Sequence, residues 1–230
     1  MKRLSFLVSG SCLLILAFLL PCSAAFAQDG YPAVTFDYGF VPFDRACSEI
    51  ADFEIETEWI EELESKMEAF RHIWKERGPR LLELTVRETG KPFRQKEMQA
   101  TMTLCTFPSM SHPLLLNVRR YLATATDGNP RDTHFFVALV FHELLHTYVF
   151  ENLNRDESAL LAKYEAEPFS VKSHMHLMAV LKNAYLKLGY KDELREIVAL
   201  DSRIGPIYAR AWEIVNDLEE YTAFVDELKP

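Results

Sequence analysis

The sequence predicts a mostly helical α+β fold, and three observations lead to that prediction. Apolar residues recur every three or four positions over several long stretches, which is typical of amphipathic helices. Residues 97–105 instead alternate between apolar and polar side chains, which is typical of a half-buried strand. The stretch from Thr133 to Glu151 is apolar on almost every side, so we expect a buried helix there.

Residues 1–27 have the features of a secretory signal. Lys2 and Arg3 give a positively charged start, an apolar run follows, and Ala25-Phe26-Ala27 is a small-x-small cleavage site. The apolar run is shorter than the roughly 20 residues that a membrane-spanning helix needs. We therefore expect export to the periplasm or the medium, cleavage near Ala27 and no membrane span afterwards.

The remaining chain, residues 28–230, has the length of one domain with its own core. It contains two cysteines, Cys47 and Cys105, and an oxidising compartment permits a disulfide between them. Two cysteines are too few for a disulfide scaffold and are not spaced like a zinc ribbon. We expect one bridge from the N-terminal segment to the sheet, with two buried free thiols as the alternative.

The formal net charge of −9 limits the classes of partner. An acidic chain is a poor match for nucleic acid or for an anionic membrane surface, so we expect neither. The charge is compatible with basic peptides as ligands, and also with a solvated acidic surface that has no specific role.

The first half of the domain is expected to contain two helices and two strands. Apolar spacing predicts a helix over residues 54–77 with a solvated acidic face, and Gly78-Pro79 is expected to end it and start a second helix that stops at Gly90. Residues 28–44 are rich in aromatic residues and are expected to form a short strand or an extended arm. Residues 114–118 are expected to form a strand beside residues 97–105.

The buried helix carries polar residues that need a reason to be there. His142 and His146 are four residues apart, so they lie on one face, and two imidazoles at this spacing can bind one tetrahedral Zn²⁺ ion. Glu143 lies between them and points to the side on which a metal-bound water would lie. Buried imidazoles and carboxylates lose hydration and require partners, which favours a metal site over an ordinary core.

His142-Glu143-Leu144-Leu145-His146 on an apolar helix resembles the active-site helix of the zincin metallopeptidases. The uncharged flanks fit, and Tyr148 stands where zincins place a bulky apolar residue. The resemblance covers this one helix. It implies a zinc-dependent hydrolase, a small sheet beside the active-site helix, a third zinc ligand on a following helix, and Glu143 as the general base.

The segment after the buried helix is expected to supply the third ligand. A helix is predicted from Pro168 to about Leu188, and two further helices separated by Gly205-Pro206 are predicted from Asp192 onward. The first of these helices contains His174 and His176, which are about 200° apart around it, so only one of them can face a given metal.

Three groups of residues compete for that role. His146 lies about 9 Å from the end of its helix and His174 about 9 Å from the start of the next, so antiparallel packing would set them level. Glu165 and Glu167 are the alternatives, because the spacing from His146 to Glu165 fits one glutamate-ligand branch of the zincins. His176 is the weakest candidate as a ligand.

The sequence therefore favours a secreted or periplasmic metallopeptidase that acts on peptide or protein substrates through Glu143. Tyr148, Tyr185 and His176 are candidates for stabilising the oxyanion, and the sequence does not choose among them. Two other classes stay open. One is an exported protein with a structural zinc site closed by a fourth ligand, and the other is an interaction domain in which the motif is accidental.

Overall fold

The computed structural model describes residues 30–217 and 221–230, and the mostly helical α+β fold is confirmed in this part of the chain. The predicted signal segment, residues 1–27, lies outside the described residues. The described α-helices are α1 (Ala46–Ala51), α2 (Thr57–Thr89), α3 (Thr133–Asn152), α4 (Ala159–Lys163), α5 (Phe169–Lys187), α6 (Lys191–Ile204), α7 (Pro206–Asp217) and α8 (Thr222–Asp226). Among the described residues, no helix has the length and apolar character needed to cross a membrane.

A small mixed sheet accompanies the helices. Its strands are β1 (Ala33–Tyr38), β2 (Glu97–Thr103), β3 (Met110–Ser111) and β4 (Leu114–Asn117), in the spatial order β1-β2-β4-β3. The strands β1, β2 and β4 run parallel, and β3 pairs with β4 in the antiparallel sense. The two predicted strands correspond to β2 and β4, and the aromatic N-terminal segment contributes β1.

The prediction that Gly78-Pro79 divides two helices is wrong, because α2 continues through both residues to Thr89. Proline in a helix interior removes one hydrogen bond, but Trp74, Leu81 and Leu82 are buried on both sides of it, and their burial favours a continuous helix. Gly78 has a packing role instead, since a Cβ placed there would lie 2.3 Å from the Trp74 ring. The helix ends, as predicted, at Gly90, whose φ is +73°.

The acidic face predicted for the start of α2 has one exception. Glu62 is half-buried, and its carboxylate accepts hydrogen bonds of 2.8 Å from the backbone N–H groups of Ala123 and Thr124. Lys66 forms an ion pair of 2.7 Å with the same carboxylate. Together these contacts lower the pKa of Glu62 to about 2, although partial burial acts in the opposite direction. The residue fixes the loop that leads into α3.

Helix α3 lies at the centre of the core. It contacts α2, α5, β3 and β4, which explains why nearly all of its faces are apolar. Phe136 in its first turns is fully buried against the rings of Phe36, Phe70 and Tyr121, with centroid distances of 5.7, 4.5 and 5.9 Å. These contacts hold the N-terminal half of α3 against α2 and the sheet, and so position the histidine motif that follows.

The expected disulfide between Cys47 and Cys105 is present, with the Cα atoms 6.0 Å apart. Asp44 lies beside it and is completely buried, and its carboxylate accepts hydrogen bonds from the Tyr38 hydroxyl, from Thr103 and from the backbone N–H of Leu104. The N-terminal segment is thus attached to the end of β2 both covalently and through a buried carboxylate whose hydrogen bonds are satisfied.

The C-terminal third follows the predicted order of helices with one addition. Pro168 immediately precedes α5 and is not in its first turn, and α5 ends before Gly189. Helices α6 and α7 are the two predicted after Asp192, and the short helix α8 is a third. Helix α5 contacts α3, α6, α7 and α8, so it joins the centre of the core to the C-terminal helices.

Candidate metal centre

The structure brings together His142, His146 and His174. One nitrogen from each ring lies within 4.8 Å of the others, and the ring centroids are 4.8 to 5.4 Å apart. His142 and His146 come from adjacent turns of α3, and His174 comes from α5, which packs against it. Three imidazoles at such distances from one another can coordinate one metal ion.

The depth of each residue in its helix explains why they meet. His146 lies six residues before Asn152, where α3 ends, and His174 lies five residues after Phe169, where α5 begins. The segment between the two helices includes the short helix α4 and returns the chain to the same level. The matched depth expected from the sequence therefore does bring His174 beside His146.

Burial sets the protonation state of the three imidazoles. It lowers the pKa of His142 well below the ordinary value, and the neighbouring His146 and His174 lower it further. Burial and the charge of His174 lower the pKa of His146 to about 4, and burial also lowers the pKa of His174. No carboxylate contributes to any of these shifts, so at neutral pH all three rings are neutral and present lone pairs to a cation.

His174 is held in one tautomer by a backbone contact. Its Nδ1 lies 2.6 Å from the carbonyl oxygen of Ser170, so Nδ1 carries the proton and donates. The lone pair is then on Nε2, which is the arrangement that metal-binding histidines commonly show. The contact also fixes the orientation of the ring on α5.

Glu143 lies next to the cluster and makes no part of it. Its side chain is buried, and burial raises its pKa to about 8. The residue lines an open cavity of about 510 Å³ together with His142. The two residues occupy adjacent positions on α3 and border the same cavity.

Tyr208 was not among the residues proposed from the sequence, and it also lines this cavity. Its ring centroid lies 4.9 Å from that of His174 and 5.9 Å from that of His142. Burial raises the pKa of Tyr208, and the nearby Glu143 and Asp201 raise it further, so the hydroxyl stays protonated and can donate a hydrogen bond. The residue comes from α7, far along the chain from the histidines.

The competing ligand candidates lie elsewhere. Glu165 is exposed, and Glu167 forms an ion pair of 2.7 Å with Arg210. His176 is buried on another side of α5, where its Nε2 lies 2.8 Å from Glu227. The structure does not bring any of these three to the histidine cluster.

The other candidates for contacting an oxyanion are also remote from the cluster. The Tyr148 hydroxyl donates to the carbonyl of Lys91 at 2.8 Å and lies 2.5 Å from the Thr89 hydroxyl. The Tyr185 hydroxyl is buried and has no hydrogen-bond partner among the described residues. Neither tyrosine lines the cavity beside His142.

Comparison with known proteins gives no relative for this arrangement: no protein family, curated protein or solved structure matches the chain significantly. What the geometry establishes is a three-histidine cluster able to bind a metal ion, and a carboxylate and a phenol that line the same cavity as His142.

Proposed function

We propose that this chain is an exported zinc-dependent hydrolase whose substrates are peptides or proteins. The observation on which the proposal rests is that the buried Glu143 lines one open cavity together with His142, a member of the three-histidine cluster. The resemblance of residues 142–146 to the zincin helix supports the same class.

The donor set supports zinc with an open coordination position. Three neutral imidazoles are a ligand set found in catalytic zinc sites, whereas structural zinc sites are closed by four protein ligands. The cluster in the described part of the chain contains His142, His146 and His174 and no fourth ligand. This supports a catalytic site over a structural one.

Each residue near the cluster has a chemical role in this proposal. Bound zinc would supply Lewis acidity, which polarises a carbonyl group and lowers the pKa of water. Glu143 accepts a proton from the attacking water and returns it to the leaving amine. The pKa of Glu143 falls when a cation is bound beside it, since opposite charge favours the ionised form, and the carboxylate is then ready to accept the proton.

Tyr208 takes the role of hydrogen-bond donor to the oxyanion. Its protonated hydroxyl belongs to a ring that packs against His174, and the residue lines the same cavity as Glu143. A positioned donor of this kind stabilises negative charge that develops on the substrate carbonyl.

The test compares zinc content and turnover in one set of proteins. Purified wild type is expected to contain one equivalent of zinc and to cleave members of a mixed peptide library. Glu143→Gln keeps the size and the hydrogen-bonding capacity of the side chain but cannot accept the proton, so we expect unchanged zinc content and turnover lower by about 10²- to 10⁴-fold. Glu165→Gln is the matched control, because Glu165 is an exposed carboxylate outside the cluster.

The outcomes separate the classes of function. Wild type that binds zinc and cleaves nothing would favour an inert metal site. Wild type without zinc would favour an interaction domain with an accidental motif. A Glu143→Gln protein as active as wild type would remove Glu143 from the chemistry. N-terminal sequencing of the exported chain tests the other part of the proposal, which requires a start near Gln28.

A further inference from the structure

The cavity beside the histidine cluster has a basic wall, although the chain as a whole has a formal net charge of −9. Arg120, Arg131 and Arg203 all line it. The ion pairs that arginine forms in the described part of the chain involve none of these three; they involve Arg45, Arg71, Arg77, Arg87, Arg195 and Arg210. Three arginines thus line one cavity, and none of them forms an ion pair with a described carboxylate.

Among the described residues that line the cavity, Asp201 is the one acidic side chain besides Glu143, and it does not neutralise this wall. Its carboxylate accepts a hydrogen bond of 2.8 Å from the indole N–H of Trp212, and burial raises its pKa to about 6. The charge of Arg131 acts in the opposite direction on that pKa, so these two groups are close enough to interact. Asp201 offsets at most one of the three positive charges, which leaves the wall net positive.

The backbone positions the residues of the basic wall. The N–H of Arg131 donates to the carbonyl of Arg120 at 2.8 Å, which ties the two loops that carry these side chains. Arg203 lies in the last turn of α6, next to Ile204. The arginines therefore come from separate segments of the chain and converge on one cavity.

The rest of the lining is largely apolar and includes Phe135, Leu139, Ile197 and Leu200. The volume of about 510 Å³ is in the range of sites that enclose a small ligand or part of a larger one. Arg131 is half-buried, whereas Arg120 and Arg203 are exposed, so the apolar walls reduce solvent screening most at Arg131. Arginine also matches carboxylates geometrically, because it can donate two parallel hydrogen bonds.

We propose that this cavity binds a carboxylate of the substrate close to the bond that is hydrolysed, so that the enzyme selects peptides with a carboxylate at that place. This inference rests on the proposed hydrolase function, since His142 and Glu143 line the same cavity as the arginines. The carboxylate is either an aspartate or glutamate side chain or the C-terminal α-carboxylate of a peptide. The two sources share the same recognition chemistry.

A matched peptide library distinguishes the sources. Each peptide carries one glutamate or one glutamine at a scanned position, and each is made with a free or an amidated C-terminus. Loss of cleavage on changing glutamate to glutamine identifies a side-chain carboxylate, and loss on amidation identifies the terminal one. Wild type that cleaves glutamate and glutamine members at equal rates, and also free and amidated members at equal rates, overturns the inference.

Arginine variants identify the side chains that bind the substrate carboxylate. Arg131→Gln and Arg203→Gln are each expected to lower kcat/KM for the preferred acidic peptide by about 10-fold or more, since a charged hydrogen bond is lost. Cleavage of the neutral counterpart should change little, which also shows that the variant is folded. Arg195→Gln is the control, because Arg195 lies on the same helix as Arg203 but is exposed and outside the cavity.

A binding measurement separates failure of this inference from failure of the proposed function. Fluorescence anisotropy with labelled acidic and neutral members of the library needs no turnover. If nothing is cleaved but the acidic peptide binds more tightly and loses its advantage in Arg203→Gln, the hydrolase proposal fails and the carboxylate site stands. Equal binding of glutamate and glutamine members together with equal binding of free and amidated members, or an unchanged preference in Arg203→Gln, overturns the carboxylate site.

Discussion

His174 and His176 are two residues apart on α5, and their environments are opposite. His174 faces the imidazoles of His142 and His146, and its Nδ1 lies 2.6 Å from the carbonyl oxygen of Ser170 and 3.3 Å from the Ser173 hydroxyl. His176 points to another side of the helix, where its Nε2 lies 2.8 Å from the carboxylate of Glu227.

The comparison shows that burial alone does not mark a metal ligand. Burial lowers the pKa of both histidines, but Glu227 partly offsets the effect at His176 by favouring the charged ring. At His174 the offset comes from the Ser170 carbonyl and not from a carboxylate. A buried histidine with a carboxylate partner is satisfied within the protein, whereas three buried imidazoles without one have lone pairs available for a cation.

The largest effect expected from this difference is on metal affinity. His174→Ala removes a ligand, so zinc affinity should fall on the order of 100-fold or more, because even the loss of an outer partner of a ligand costs 10- to 100-fold. His176→Ala should leave the affinity nearly unchanged. Competition with a chromophoric chelator measures both. Loss of zinc in Glu165→Ala or Glu167→Ala, with retention in His174→Ala, would assign the third ligand to a glutamate.

The reverse order is expected for the stability of the zinc-free protein. His176→Ala leaves Glu227 without its buried partner and opens space beside Phe224, so the free energy of unfolding should fall by about 2–4 kcal/mol. His174→Ala should cost about 1 kcal/mol, since one hydrogen bond is lost. Urea unfolding of the two variants checks the order, and equal losses would contradict a structural role for His176.

The contact between His176 and Glu227 should also affect the pH dependence of unfolding. Because the folded pKa of His176 lies below 6.5, the unfolded chain binds more protons, and the stability that the neutral ring provides falls as the pH drops below about 6.5. The pKa of Glu227 is lowered, so its contribution is present above about 4.5 and is lost at lower pH. The nearby Arg155 also disfavours a charged His176.

Unfolding of zinc-free wild type and His176→Asn between pH 7 and pH 5 tests this dependence. The buried cluster histidines act in the same direction, so we expect a shallower slope in the variant and not a flat one. A slope identical to that of wild type would mean that His176 takes up its proton without cost to the fold.

The smallest expected effect concerns the Ser158 hydroxyl, which contacts the same Glu227 carboxylate as His176. Ser158 accepts a hydrogen bond from the N–H of Leu161 at 3.0 Å as the N-cap of α4, and its hydroxyl donates to Glu227 at 2.5 Å. Ser158→Ala should lower the free energy of unfolding by about 1 kcal/mol and leave zinc content unchanged. Thermal unfolding with and without zinc distinguishes this from an effect on the metal centre.

The sequence was most informative where a pattern is local. The spacing of His142, Glu143 and His146 follows from helix geometry alone, and the position of His174 follows from the lengths of two neighbouring helices. Local signals failed at Gly78-Pro79, because packing around Trp74 outweighs the cost of an interior proline.

The wall of the cavity could not be predicted, since it depends on how distant segments pack. Tyr208 lies on α7, which reaches the histidines only because α7 packs against α5, and its sequence neighbours carry no motif. The convergence of Arg120, Arg131 and Arg203 likewise has no periodicity that a sequence pattern would reveal. Contacts between residues this far apart in the sequence depend on tertiary packing and not on helix or strand geometry.

The bridge between Cys47 and Cys105 also determines what a protease can release. The loop that it closes has a sequence separation of 58 and contains the whole of α2. A single cut within that loop, for example between α1 and α2, leaves two polypeptides that remain joined. The nicked protein would therefore migrate as one species on a non-reducing gel and as two after reduction, with the helix that supports α3 still attached.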